Sequence, residues 1–175
     1  VNQLFRNSRL IGRRFKLVHV LFGREVIEVA TFRTSPKEEH NSQQAKTGDS
    51  GMILRDNVYG NIGDDAMRRD FTCNALYYNI ATETILDYAG GVDDIQRGEL
   101  KLIGTPDNRF IEDPVRMLRA VRFHAKLGLR LPEVLKQSII KNRTNLKNVP
   151  TARLFDEAVK LFHCGNICLL YTSPS

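Results

Sequence analysis

Three short segments of this 175-residue chain concentrate side chains able to do chemistry. In Arg68-Arg69-Asp70-Phe71-Thr72-Cys73-Asn74-Ala75, two guanidinium groups, a carboxylate and an amide share one short span. Guanidinium forks match phosphate oxygens, and a carboxylate beside an amide suits a ribose or a metal. The same set also suits a surface ion pair with a capping Asp. In Asp87-Tyr88-Ala89-Gly90-Gly91-Val92-Asp93-Asp94, carboxylates flank glycines that open unusual backbone angles. That pattern fits a hinge, a metal loop or an ordinary strand-to-helix turn.

The third segment, Glu112-Asp113-Pro114-Val115-Arg116-Met117-Leu118-Arg119-Ala120-Val121-Arg122, is the most informative. At about 100° per residue, Asp113, Arg116 and Arg119 fall about 60° apart on a helix and share a narrow arc. A carboxylate accepts hydrogen bonds and a guanidinium only donates them. The pair matches a base edge that offers an amino group beside a ring-nitrogen acceptor. Adenine and cytosine present that edge, whereas guanine and uracil reverse it. An i,i+3 ion pair on a solvated helix face is the plain alternative.

Several elements must position these groups. Phe15 to Phe22, Gly23-Arg24 and Val26 to Phe32 read as a β-hairpin. Period two sets Val26, Glu28, Ala30 and Phe32 on one face, with Glu28 the lone carboxylate in an apolar row, either an edge residue or a functional one. Residues 34–50 read as a polar loop. A helix is expected over Asp64 to Asp70, short strands over Ala75 to Ile80, Thr84 to Tyr88 and Glu99 to Ile103, a small helix over Val92 to Arg97, and a turn from Gly104 to Asn108. Asp113-Pro114 reads as the N-cap and first turn of a helix stopping at Gly128. Two more helices follow, from Pro132 to about Leu146 and from Thr151 to Phe162. The residues after Val1 read as the tail of an amphipathic helix. Mixed strands and helices followed by helices alone predict an α+β class.

Taken in order, these segments resemble the bacterial class II nucleotidyltransferases, the family of poly(A) polymerases and CCA-adding tRNA enzymes. Arg68 to Ala75 resembles the ribose-recognition motif, Asp87 to Ile95 the joint between head and neck, and Glu112 to Arg122 the amino-acid template for the incoming base. Within the family, Leu10-Ile11-Gly12-Arg13-Arg14-Phe15-Lys16-Leu17-Val18-His19-Val20 resembles the poly(A) polymerase signature, and Glu25 to Arg33 continues it. On its own residues, that stretch reads as a basic approach to a buried strand, with His19 more often a satisfied core histidine than a catalyst.

The resemblance implies a nucleotidyltransferase head over residues 1–104, a helical neck over 105–162 and a non-native or disordered tail over 163–175. It implies template-independent adenylyl transfer from ATP to an RNA 3′ end by two-metal chemistry with Mg2+. Asp70 and Glu28 would be catalytic, Asp113 and Arg116 would read the base, and Arg69, Arg119 and Arg122 would contact phosphates. Asn74 would orient the ribose. The family's Asp-x-Asp metal pair would precede Val1, leaving the metal ligands unknown and this stretch inactive by itself. A CCA-adding enzyme and a non-catalytic RNA-binding fragment are the alternatives.

Composition frames these expectations. The chain is 42% hydrophobic and 26% charged, which suits a globular core and excludes collagenous or disulfide-dense classes. Twenty-six Lys and Arg against twenty Asp and Glu leave a net +6, which suggests polyanionic partners. No apolar run approaches the roughly 20 residues of a membrane span, so a cytoplasmic protein is expected. Cys73, Cys164 and Cys168 lack zinc-site spacing.

Overall fold

The computed structural model describes residues 1–12, 17–34, 45–47, 53–56 and 58–165. They divide into two compact units, one running to Asp65 and one from Ala66 onward. The boundary expected near Gly104 lies within the second unit.

In the first unit, β1 (Ser8–Ile11), β2 (Leu17–Phe22) and β3 (Glu25–Val29) form an antiparallel sheet in that order. β2 and β3 are the expected hairpin, with Phe22 opposite Glu25 and His19 opposite Glu28. Gly23 turns the chain at φ +61°, a conformation that tight hairpin turns require and glycine adopts without a Cβ penalty. The chain start is not a helix tail: Leu4 and Phe5 N–H donate to the Val1 carbonyl in a single turn, and β1 follows. Leu10 and Ile11 find partners in Val18 and Leu17 across the sheet, so strand pairing wins over a helical continuation. β4 (Arg33–Thr34) pairs with β7 (Val58–Tyr59), and β5 (Ala45–Thr47) with β6 (Ile53–Asp56). The stretch expected to be a loop thus holds a strand at Ala45–Thr47. Its residues 35–44 and 48–50 lie outside the described residues, as do Arg13 and Arg14.

α1 (Ile62–Arg68) opens on a side-chain cap, in which Asn61 Oδ1 accepts the Asp64 N–H at 2.8 Å. Asp64 and Asp65 in its first turn and Arg68 in its last complement the helix dipole. A 3-10 turn (Thr72–Asn74), the hairpin β8 (Leu76–Asn79) and β9 (Thr84–Asp87), and α2 (Gly91–Gln96) come next, close to expectation. α3 (Pro106–Glu112), α4 (Val115–Leu127), α5 (Glu133–Asn142), a 3-10 segment (Arg143–Asn148) and α6 (Thr151–Phe162) complete the chain.

Three local expectations are corrected. The turn expected at 104–108 gives way to α3, which starts with Pro106 in its first turn and is anchored by the fully buried Phe110. Asp113 is not the N-cap of α4: it ends α3 in extended conformation, and Pro114 stands at the α4 cap without a side-chain hydrogen bond. Glu99 to Ile103 is extended but forms only isolated bridges, Leu102 with Phe71 and Glu99 with Arg130. Its alternation buries Leu100 and Leu102, while its neighbours are a turn and a helix connector, so no ladder can grow. The core of this unit comprises Phe71, Leu100, Leu102, Phe110, Met117, Ala120, Leu129 and Leu135. Among the described residues no helix is long and apolar enough to cross a membrane.

Candidate nucleotide site

Asp70 follows the end of α1 on backbone pinned by two hydrogen bonds to the extended segment, Thr72 N–H to the Lys101 carbonyl at 3.0 Å and Ile103 N–H to the Asp70 carbonyl at 2.9 Å. Phe71, buried edge-to-face on Phe123, locks that backbone to α4. The Asp70 side chain is therefore turned inward, and the residue is 8% exposed. Oδ1 accepts the Phe71 N–H at 2.9 Å and Asn74 Nδ2 at 3.0 Å, and Oδ2 accepts Arg119 Nε at 2.6 Å. Burial alone would raise the Asp70 pKa. The Arg119 charge and these three donors outweigh burial and hold it below the ordinary 3.8. Asp70, Asn74 and Arg119 thus form one connected cluster. Cys73 sits beside it as a half-buried thiol, pushed above its usual pKa by burial and then by the Asp70 charge.

Arg119 also lies 3.8 Å, Nη1 to Oε1, from Glu157 of α6, which accepts Arg122 Nε at 3.1 Å and Lys160 Nζ at 2.9 Å. Arg119 and Arg122 both lie over the Phe123 ring. Glu157 is 6% exposed, and its pKa is lowered because its cationic partners outweigh the burial that would raise it. Sequence reasoning missed this carboxylate. A signal was present: Leu154, Glu157, Ala158 and Leu161 share the inner stripe of α6, so an acid occupies an otherwise apolar face.

Asp113 and Arg116 are one turn apart, the Arg116 N–H donating to the Asp113 carbonyl at 3.1 Å. Their side chains do not pair with each other. Asp113 Oδ2 accepts Arg153 Nη2 at 3.0 Å, while Oδ1 is buried with no partner among the described residues. Arg116 Nη1 donates to the Arg109 carbonyl at 3.0 Å and to Glu112 Oε2 at 2.9 Å. Only 12% of its side chain is exposed. Arg109 and Arg153, both engaged with this segment, were also missed. Their partners lie up to about forty residues away in sequence, beyond any local pattern.

Arg69 lies with its guanidinium 5.4 Å from the centre of the Tyr77 ring. Asp87 closes the segment expected to be a hinge, a metal loop or a turn: its oxygens accept the N–H groups of Ala89, Gly91 and Val92 at 3.0–3.1 Å, capping α2. Those backbone donors outweigh burial and lower its pKa. The geometry is that of a capped strand-to-helix turn. Glu28 belongs to the first unit, where its side chain is 65% exposed and Oε1 lies 3.0 Å from His19 Nε2.

Both Asp70 oxygens are occupied by protein donors, and Glu28 faces His19. Among the described residues no three His, Cys, Asp or Glu side chains converge as metal ligands.

Comparison with known proteins bears on the family of the chain. Residues 1–101 match the poly A polymerase head domain family, and residues 128–169 match a family described as a probable RNA and SrmB-binding site of polymerase A. Poly(A) polymerase I of Salmonella typhi is 53% identical over 167 residues, covering 95% of this chain and 36% of that protein. The Haemophilus influenzae poly(A) polymerase I is 54% identical, covering 91% and 35%. A CCA-adding enzyme of Lactobacillus helveticus is 37% identical, covering 92% and 38%. The solved CCA-adding enzyme of Bacillus stearothermophilus in complex with CTP superposes with a TM-score of 0.70 at 30% identity, covering 91% of this chain and 35% of that one. The chain thus spans about a third of the relatives it matches, and it belongs to the poly A polymerase head domain family.

Proposed function

We propose that this chain is the nucleotide-reading part of an RNA 3′-end adenylyltransferase that transfers AMP from ATP. The observation that carries this reading is the Asp113 carboxylate, fixed through Oδ2 by Arg153 while Oδ1 is buried without a hydrogen-bond partner among the described residues. A buried acceptor left open costs about 1–3 kcal/mol, so a ligand donor meeting it gains that much. The adenine amino group is such a donor. Arg116, whose Nη1 is fixed by Glu112 and the Arg109 carbonyl, keeps Nε and Nη2 donors, one of which would meet the adjacent ring nitrogen. Guanine would set its carbonyl against Asp113 and its N–H against Arg116.

The remaining residues serve the sugar and phosphates. Asn74, held by Asp70, orients the ribose, and Arg69 and Arg119 meet the triphosphate. Arg122 is bound to Glu157 and stacked on Phe123, so it supports Arg119 from behind. Asp70 acts as a positioning residue through Asn74 and Arg119, since its own oxygens are occupied. Glu28 remains the candidate catalytic carboxylate of the first unit. Mg2+ is the metal proposed for the enzyme, with its ligands left unassigned. RNA ends and ATP are the proposed partners, in the cytoplasm.

The test is a segment exchange, in which this chain replaces the matching third of Salmonella typhi poly(A) polymerase I and the product extends an RNA primer with each nucleoside triphosphate. Long adenylate tails from ATP are expected. Equal use of CTP, stopping after a few additions, would instead favour the CCA-adding reading that the CTP-bound neighbour raises. No incorporation would refute the enzyme reading.

A further inference from the structure

Arg109 stands between the two motifs that the proposed function uses. Its Nη2 donates to the Arg68 carbonyl at 2.7 Å and also to the Arg69 carbonyl, both at the C-terminal end of α1. Its Nη1 donates to Glu112 Oε2 at 2.8 Å. That same oxygen accepts Arg116 Nη1, which also donates to the backbone carbonyl of Arg109. Through the shared Glu112 Oε2, the Arg109 guanidinium therefore links the backbone that presents Arg69 and Asp70 to the guanidinium assigned to the base.

Each contact has a physical reason. Carbonyls at a helix C-terminus lack intrahelical partners and carry partial negative charge, so a cation satisfies them. A planar fork can address carbonyls on one side and a carboxylate on another with fixed directions, which a lysine ammonium cannot do. Only 11% of the Arg109 side chain is exposed, so water competes weakly for these bonds. Arg116 is directional in turn: with Nη1 fixed at two acceptors, the plane of its guanidinium is fixed, and so are the directions of its remaining N–H groups.

We infer that Arg109 is a positioning residue for base selection, holding the plane of Arg116 in register with the sugar and phosphate motif at Arg68 to Asn74. This inference rests on the adenylyltransferase reading. A residue that merely supports α3 would, when replaced, slow incorporation of every nucleotide alike. A residue that sets the plane of the base reader changes which nucleotide is preferred.

The test uses the segment-exchanged polymerase with Arg109→Lys and Arg109→Gln, measuring kcat/KM for ATP and for GTP, the KM for the RNA primer, and thermal melting. Lysine keeps the charge and loses the fork, so it separates direction from charge. The ATP-over-GTP ratio should fall about tenfold in both variants, the equivalent of one misdirected hydrogen bond, with the RNA KM within about twofold of the parent. A parent that selects ATP and variants that lose rate equally for ATP and GTP, keeping the ratio, would overturn the inference and leave the proposed function standing. A parent without incorporation would remove the function itself and the inference with it.

Discussion

The ion pair between Asp70 and Arg119 makes a demand on stability that can be worked out from its surroundings. Replacing Asp70 with Ala removes three hydrogen bonds accepted by an ionised carboxylate, one of them from the Arg119 guanidinium at 2.6 Å. Each hydrogen bond to a charged group contributes about 1.5–3 kcal/mol. Arg119 retains 30% side-chain exposure, so water re-solvates part of the abandoned cation and the lower half of the charged range applies. Relief of the burial penalty on the carboxylate subtracts further. The net loss should be about 3 kcal/mol, which for a chain of this length lowers Tm by about 6–12 °C. Urea unfolding followed by far-UV circular dichroism, on Asp70→Ala, Arg119→Met and the double variant, isolates the pair. Its coupling energy should be about 1.5–2 kcal/mol. A coupling below about 0.5 kcal/mol, the range of exposed surface pairs, would refute the reasoning.

Acid should weaken the same network. Asp70 and Glu157 both have folded pKa values below their ordinary 3.8 and 4.5, so their contribution is complete above those values and is lost as pH falls through the lower folded ones. Unfolding free energy should be level from about pH 7 to 5 and then decline, with a shallower decline in Glu157→Gln; an equal slope in parent and variant would count against the assignment. Gly91→Ala should destabilise by about 2 kcal/mol or more in the same urea assay, because the new Cβ would stand 2.3 Å from the Thr72 carbonyl oxygen, a backbone atom with little room to retreat.

What the sequence made legible follows the range of the forces involved. The β2–β3 hairpin was readable because alternation and Gly23 are local signals, and α4 because Val115, Leu118, Val121 and Ala125 keep helical spacing up to Gly128. α3 was not readable: seven residues with apolar groups only at Phe110 and Ile111 show no period, and its anchor is a core assembled from distant segments. Alternation correctly marked Glu99 to Ile103 as extended, but strand status depends on partners, and its partners are Phe71 and Arg130. Within the site, spacing put Asp113, Arg116 and Arg119 on one arc. It did not show that each reaches a different partner, Arg153, Glu112 and Asp70 respectively. A guanidinium spans several ångströms, so residues neighbouring on a helix can serve quite separate contacts.

The central claim is that Asp113 and Arg116 read the base. In the segment-exchanged polymerase, kcat/KM for ATP and GTP should be measured in competition for the parent, Asp113→Ala and Arg116→Ala, alongside the KM for RNA. The ATP-over-GTP ratio should fall about ten- to a hundredfold in each variant, since one paired base edge is worth ~1–3 kcal/mol of discrimination, while the RNA KM stays near the parent's. A ratio unchanged in both variants, with activity still measurable, would contradict the account.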